Sequence, residues 1–411
     1  MKRVRIPRPS RLVIPLMKFL VLPFLVRRYR VTAVDIAQVL RSVVPPYVVV
    51  ANHVNYWDPF WISAFLRHPI QFVTSDNVFR EAFLGIAMQL VGSIPKTKLM
   101  NDSRTVRQIF GVRREGGVIG IFPEGARSDD GRSLPVLPAV ARLVRKLDVP
   151  VVIAKIAGGY LSRPRWARTV RRGRVQIDYS LLFSRDDLAR LSDAEVHSVM
   201  CERLAFDEMA RQRATRIPFR GRRPAEFLER LLFICPQCRS MSRMQSHGDA
   251  LRCTACSYQV RVNRFGFFEP RRGPLFFEDP AQWNSWQLSV FEELLEGCEG
   301  VRKPVFEERP AVLLKGYRDR PLRKIGTGSA ALMRNRVVFR ADEGKSRSFP
   351  LSEIRGMNVQ NREKLEFYCD NALFRLDFLE PRASSYKWMK AVQVLAAAPS
   401  QASSLIRVKT Y

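Results

Sequence analysis

The sequence predicts a large α/β domain followed by two smaller modules, and three observations carry that expectation. Apolar strand-like runs alternate with helical periods from about residue 45 to 215, the pattern of a mostly parallel sheet with flanking helices. Two paired-cysteine knuckles follow, and then seven short strand-like runs closed by one helix. At 411 residues, 46% hydrophobic and 26% charged, the chain is long enough for several packed domains and is not disordered in composition.

In the first domain, Tyr47–Ala51, Ile70–Thr74, Gly117–Phe122 and Val149–Ala154 read as buried strands. Helical periods fall at Pro59–Leu66, Phe79–Leu90, Ser103–Arg114, Leu137–Leu147 and Asp193–Arg213. The expected organisation is 1–44 as a basic membrane-associating segment and 45–215 as the α/β domain. Residues 216–262 follow as a linker with a zinc ribbon, 263–309 as a connecting segment and 310–398 as a β-rich domain.

The formal charge of +30 demands an anionic partner, either nucleic acid, a phospholipid surface or phosphorylated substrates. Residues 1–45 hold ten Lys or Arg against one acid, Asp35. Between two basic clusters lies Leu12–Val26, which as a helix would be about 22 Å long, short of the hydrocarbon thickness. Arg27-Arg28-Tyr29-Arg30 stands where a secretory cleavage site would need small residues. The pattern fits a segment that dips into one leaflet, peripheral or monotopic on the cytoplasmic face, against anionic lipid. The plain alternative is a core helix with a solvated basic tail. Ser162–Arg174 carries six arginines around Trp166 and no acid. It is expected either to present an interfacial tryptophan to lipid or to be a solvated loop.

Four of the seven cysteines form Cys235-Pro-Gln-Cys238 and Cys253-Thr-Ala-Cys256. Two tight knuckles deliver four thiolates to tetrahedral zinc, and a four-cysteine set leaves no open position, so the expected zinc is structural and not catalytic. The last segment places strand-like runs at 311–315, 329–333, 336–340, 347–350, 356–360, 364–368 and 373–378, then a helix Ser384–Ala396. That order resembles pleckstrin-homology and GRAM-type domains.

The chemistry concentrates in loops after the strands. Asn52-His53-Val54-Asn55-Tyr56-Trp57-Asp58 leaves the first strand with an imidazole and a carboxylate five residues apart, a base and the group that orients it. Taken alone, the spacing is better explained by His53 satisfying a turn and Asp58 capping a helix. Further blocks follow. Val91-Gly92-Ser93-Ile94-Pro95-Lys96-Thr97-Lys98 brings two lysines, and Phe122-Pro123-Glu124-Gly125-Ala126-Arg127-Ser128 brings a glycine and an arginine suited to phosphate oxygens. The fourth is the strand Val149-Pro150-Val151-Val152-Ile153. These loops belong at strand ends, where α/β sheets bind ligands.

Four such blocks in this order, over about 45–180, resemble the glycerolipid acyltransferases of the lysophosphatidic acid acyltransferase superfamily. The resemblance implies that His53 deprotonates a glycerol hydroxyl attacking an acyl thioester, of coenzyme A or acyl-carrier protein, with Asp58 orienting it. It also implies a lysophospholipid acceptor, most simply lysophosphatidic acid, held by Lys96, Lys98, Glu124, Gly125, Arg127 and Ser128. Asn55 stands where the first block commonly has serine and Ala126 where the third often has threonine. Leu134-Pro135-Val136-Leu137-Pro138 blurs the stretch that usually follows. A zinc-ribbon nucleic-acid-binding protein is the rival from another class, and the ribbon's lack of an interleaved aromatic–basic stripe argues against it. A degenerate acyltransferase kept as a lipid-binding scaffold is the third reading, and the intact His53/Asp58 pair argues against that.

Overall fold

The computed structural model describes residues 5–97, 102–297, 303–360 and 363–397. Two compact units divide the chain: Met1–Asn284 with Arg318–Pro321, and Ser285–Tyr317 with Leu322–Tyr411.

The first unit is built on a seven-stranded sheet. Its strands are β1 (Val31–Val34), β2 (Tyr47–Ala51), β3 (Ile70–Ser75), β4 (Ile94–Lys96), β5 (Val118–Ile121), β6 (Val151–Ala157) and β7 (Val175–Phe183), in the order β1-β7-β6-β2-β5-β3-β4. Strands β2 to β6 are parallel, whereas β7 returns antiparallel to β6 and β1 runs parallel to β7. The sheet is therefore mixed at one edge. The chain between β6 and β7 holds only the short helix Gly159–Ser162 and a loop, not the crossover that parallel pairing requires.

Central β2 is buried throughout, and its alternate residues feed two cores. Tyr47, Val49 and Ala51 join Trp61, Ile62, Ile177 and Tyr179 on one face, while Val48 and Val50 join Ile109, Val112, Val144, Leu147, Val196 and Met200 on the other. Burial on both faces is why these strands are continuous apolar runs. Helices Ser103–Arg114, Pro138–Leu147 and Asp193–Leu204 cover the second face. Helices Leu22–Tyr29 and Asp58–Phe65 cover the first.

The N-terminal segment is helical from Val13 to Tyr29, with a π turn over Met17–Val21. Pro23 has no N–H to offer the Phe19 carbonyl, and the Leu22 amide reaches back five residues to Met17 instead. Among the described residues, no helix is long and apolar enough to cross a membrane.

The cysteine knuckles belong to a four-stranded antiparallel sheet, β8 (Met244–His247), β9 (Ala250–Cys253), β10 (Gln259–Val262) and β11 (Phe268–Arg272), in the order β11-β10-β9-β8. This module packs onto the Ser162–Arg174 loop. Arg172 and Arg220 exchange backbone hydrogen bonds of 2.7 and 2.9 Å. The buried Arg171 guanidinium donates to the Pro224 carbonyl. Arg168 and Arg230 both lie over the Phe227 ring, at 4.3 and 4.2 Å. Trp166 is consequently buried, its indole N–H donating to Tyr160 Oη at 3.2 Å, with Arg171 stacked on it. The expectation of an interfacial tryptophan is thus overturned: aromatic and backbone groups from further along the chain take the place lipid was to fill.

The second unit holds seven antiparallel strands, β12 (Phe306–Gly316), β13 (Arg323–Leu332), β14 (Arg336–Ala341), β15 (Ser346–Pro350), β16 (Arg355–Gln360), β17 (Lys364–Cys369) and β18 (Ala372–Phe378), followed by helix Ser385–Ala397. Their order is β15-β14-β13-β12-β18-β17-β16. The sheet curls until Phe349 of β15 meets Phe367 and Phe374 of β17 and β18, with ring centroids 5.1 and 4.8 Å apart. The helix packs on β16 and β17 and buries Trp388 edge-on against Phe306.

Candidate active site

Because β2, β5, β3 and β4 are parallel, the segments that follow them emerge at one edge of the sheet. Asn52 manages the exit from β2. Its side-chain amide donates to the Ile156 carbonyl at 2.9 Å and accepts from the Ile156 amide at 2.7 Å, extending the β2–β6 ladder while the backbone turns away. His53 is the first residue released.

His53 Nδ1 lies 2.8 Å from Asp58 Oδ2, and the same oxygen accepts from the Val54 and Asn55 amides at 2.8 Å each. Asp58 is 0% exposed and opens helix Asp58–Phe65, with Pro59 in its first turn. A carboxylate is stabilised at that helix end. Burial nevertheless pushes its carboxyl up to about 8, against the pull of the two amides. The His53 side chain keeps 21% of its surface and stacks on Phe122, with ring centroids 4.1 Å apart and 20° between planes. Phe122 in turn stacks on Phe72 at 5.6 Å. Asp58 thus engages Nδ1 and fixes the orientation of the ring.

Glu124 holds the same loop from behind. Its Oε1 accepts from the His53 amide at 3.0 Å and its Oε2 from the Leu134 amide at 2.8 Å. Burial pushes this carboxyl up to about 8 as well. The Ser128 amide donates to the His53 carbonyl at 2.8 Å. The buried Ser128 hydroxyl accepts from the Gly131 amide at 2.9 Å, which closes the turn. Gly125 sits in that turn at φ +70°, where a side chain would be strained and a Cβ would approach Leu137 at 3.0 Å. Arg127 is half-buried, and its carbonyl accepts from Arg165 Nη1 at 3.1 Å. The 134–138 stretch has its own duties: the Leu134 amide serves Glu124, the Leu137 amide donates to the Pro123 carbonyl at 3.0 Å, and Pro138 starts a helix.

His53, Asp58, Glu124, Gly125, Arg127 and Ser128 are thus drawn into one hydrogen-bonded neighbourhood. Lys96 is half-buried at the end of β4 on the same edge. Three strand positions, about 14 Å, separate β4 from β2. Lys98 lies outside the described residues. Three contributors were not singled out from sequence. Asn52 and Phe122 could have been found only by their places in the blocks. Asn55, noted as a departure, donates to the Gly159 carbonyl at 2.8 Å and to Ser162 Oγ at 3.2 Å, a reach beyond that of serine.

The four cysteine sulfurs lie within 4.8 Å of one another. Cys235–Cys256 and Cys238–Cys253 sulfur separations are 3.6 and 3.7 Å, close to the roughly 3.8 Å edge of a tetrahedron with 2.3 Å Zn–S bonds and far beyond the about 2.05 Å of a disulfide. The knuckles repeat one hydrogen-bond plan. The Cys235 and Cys253 amides donate to the Ser240 and Tyr258 carbonyls, and the Arg239 and Ser257 amides return to the Cys235 and Cys253 carbonyls. Arg239 and Ser257 both take positive φ, 56° and 63°. The residues therefore fit a zinc ion, which would clip the module together.

An acyltransferase family model matches residues 32–156. Over 115 residues the chain is 28% identical to the chloroplastic 1-acyl-sn-glycerol-3-phosphate acyltransferase BAT2 of Brassica napus, covering 28% of this chain and 33% of that protein. It is 26% identical to the chloroplastic enzyme LPAT1 of Arabidopsis thaliana, over 28% of this chain and 32% of that one. The match thus spans about a third of the length of these relatives. The 1-acyl-sn-glycerophosphate acyltransferase PlsC of Thermotoga maritima aligns over 47% of this chain and 84% of its own, at 19% identity and a TM-score of 0.39. Residues 32–156, from strand β1 to strand β6 with the histidine–aspartate loop among them, are thus similar to acyltransferases of the lysophosphatidic acid acyltransferase superfamily.

Proposed function

We propose that the protein transfers an acyl chain from a thioester, of coenzyme A or acyl-carrier protein, to the free hydroxyl of a lysophospholipid, with lysophosphatidic acid giving phosphatidic acid. The 2.8 Å His53–Asp58 contact inside the matched segment carries this reading. His53 Nε2 takes the hydroxyl proton as the oxygen attacks the thioester carbonyl. Collapse of the tetrahedral adduct breaks the C–S bond, and the imidazolium returns the proton to the departing thiolate. Asp58 holds the ring and stabilises its charged form. No acyl-enzyme is needed. Arg127 is proposed to receive the acceptor's phosphate, with Lys96 and Lys98 as point charges that draw the anionic acceptor toward the site. Glu124, Gly125 and Ser128 shape that loop.

Membrane docking follows from exposed apolar surface. Leu12 and Phe19 are 84% and 81% exposed on the N-terminal segment, and Phe83 is 92% exposed on helix Ala82–Leu90. The Ser10 amide donates to the Leu90 carbonyl at 2.8 Å, so the two stretches adjoin. Rimmed by N-terminal arginines, this surface supports monotopic seating on anionic lipid at the cytoplasmic face. The four-cysteine module is proposed to bind structural zinc, and the second unit, with seven antiparallel strands and a closing helix, to be PH/GRAM-like. Mass spectrometry of lipid products, with a panel of lysophospholipids and thioester donors, tests the activity. Wild type is expected to form phosphatidic acid and His53→Ala to form essentially none; full transfer by His53→Ala refutes the mechanism.

A further inference from the structure

Arg163 belongs to no recognised block, yet the fold carries it to the edge of the sheet that bears His53. It follows helix Gly159–Ser162 at the end of β6, and β6 is the parallel neighbour of β2. Asn55 ties this helix to the dyad loop through the Gly159 carbonyl and Ser162 hydroxyl, all three residues being buried. Two residues beyond Arg163, Arg165 donates to the Arg127 carbonyl at 3.1 Å and pairs with Asp129 at 2.9 Å. Segment 159–165 is therefore stitched to the dyad loop at one end and to the Arg127 turn at the other.

Between these stitches the Arg163 amide donates to the Tyr160 carbonyl at 3.1 Å, and its side chain is half-buried. Among the described residues no carboxylate pairs with it, although its neighbour Arg165 has Asp129. A half-buried guanidinium with no carboxylate beside it is suited to donating charge-assisted hydrogen bonds to an anion. Tyr56, in the dyad loop, feels the positive charge of both Arg127 and Arg163, which oppose the upward push of burial on its phenol.

We infer that Arg163 and Arg127 together form the anion site for the phosphate of the acceptor, with Asn55 positioning the Arg163 side of it. Two planar forks approaching from separate loops suit a dianionic phosphate monoester better than a single one does. The inference rests on the acyl-transfer reading for its substrate, and Arg163 enters as a binding and not a proton-transfer group.

The test measures transfer to lysophosphatidate and to monoacylglycerol, which lacks the phosphate, for wild type, Arg163→Gln and Arg163→Lys. Arg163→Gln is expected to raise KM for lysophosphatidate about tenfold or more, with kcat changed only a few-fold and monoacylglycerol kinetics unmoved. Arg163→Lys is expected to recover part of the loss. An unchanged lysophosphatidate KM overturns the inference, and so does a rise confined to the KM of acyl-coenzyme A, since that places the arginine at the donor's phosphates. Equilibrium binding of a fluorescent lysophosphatidate keeps the two readings apart. Wild type without turnover refutes the transferase reading alone, whereas equal binding by wild type and Arg163→Gln refutes the arginine pair. Matching thermal unfolding of the variants excludes misfolding as the cause.

Discussion

Replacing Glu124 separates two roles for the third block. If its carboxylate is a latch on the histidine loop, both oxygens are already committed, to the His53 amide at 3.0 Å and the Leu134 amide at 2.8 Å. Gln at this position keeps one acceptor and turns an NH2 group toward the other amide. Above about pH 8, where the Glu124 carboxyl is ionised, one charge-assisted hydrogen bond is lost and one buried N–H is stranded, together about 2–3 kcal/mol. For a domain of this size that lowers Tm by about 4–12 °C. Release of the His53 amide also lets the imidazole drift from its place on Phe122, and misplacement of a base by about 1 Å costs up to about 10²-fold. Glu124→Gln is thus expected to lower both Tm and kcat, leaving the acceptor KM within about twofold. Glu124→Asp keeps the charge but is too short to span both amides, so it is expected to fail in the same way. Differential scanning fluorimetry and steady-state acyl transfer, run on both variants, decide the matter. An unshifted Tm with a raised acceptor KM, rescued by Asp, would refute the latch and make Glu124 a substrate ligand.

Asp58→Asn is expected to lower kcat by about 10²–10⁴ without weakening the fold, since an amide oxygen can replace Oδ2 as acceptor for Val54 and Asn55. The Asp58 carboxyl is raised from 3.8 to about 8 by burial. Its stabilising contribution is therefore full below pH 3.8 and lost as pH rises through about 8, so urea titrations should show wild type losing stability relative to Asp58→Asn across that window. A difference independent of pH counts against this. In the wild type, kcat should rise over the same range as Asp58 and Glu124 ionise. Metal analysis should find one zinc per chain. Chelation should remove hydrogen-exchange protection from 235–256 and also from 162–174, which the module covers; protection that persists in 162–174 would deny that coupling.

The strands at the centre of the first sheet were legible because burial on both faces leaves continuous apolar runs, as in Tyr47–Ala51. The edge was less so. Val175–Phe183 alternates like a half-covered antiparallel strand, but it follows six arginines whose composition suggested a lipid-facing loop. Trp166 misled for the same reason. Its burial depends on Tyr160, Arg171 and a module folding back from residues 219–230, and no local pattern encodes that return. The cysteine knuckles were legible because metal geometry imposes short fixed spacings. Glu124 was visible as a motif residue, but its partners, 71 and 10 residues away, are backbone amides that have no side-chain signature.

That last point bears on how the site is built. Asn52, Asn55, Asp58 and Glu124 are all buried polar side chains, and most of their hydrogen bonds go to main-chain groups, either of their own loop or of other segments. Together they fix the backbone of a loop that has no regular secondary structure of its own, and so place one imidazole against one carboxylate. Such a frame tolerates change in a residue type only where the replacement reaches the same backbone atom. Asn55 is the instructive case. A serine there would end short of Gly159, so the residue that departs from the family pattern is also the one that ties the dyad loop to the segment carrying Arg163. On the proposed function, the departure changes what the acceptor site is fastened to and leaves the His53–Asp58 contact in place.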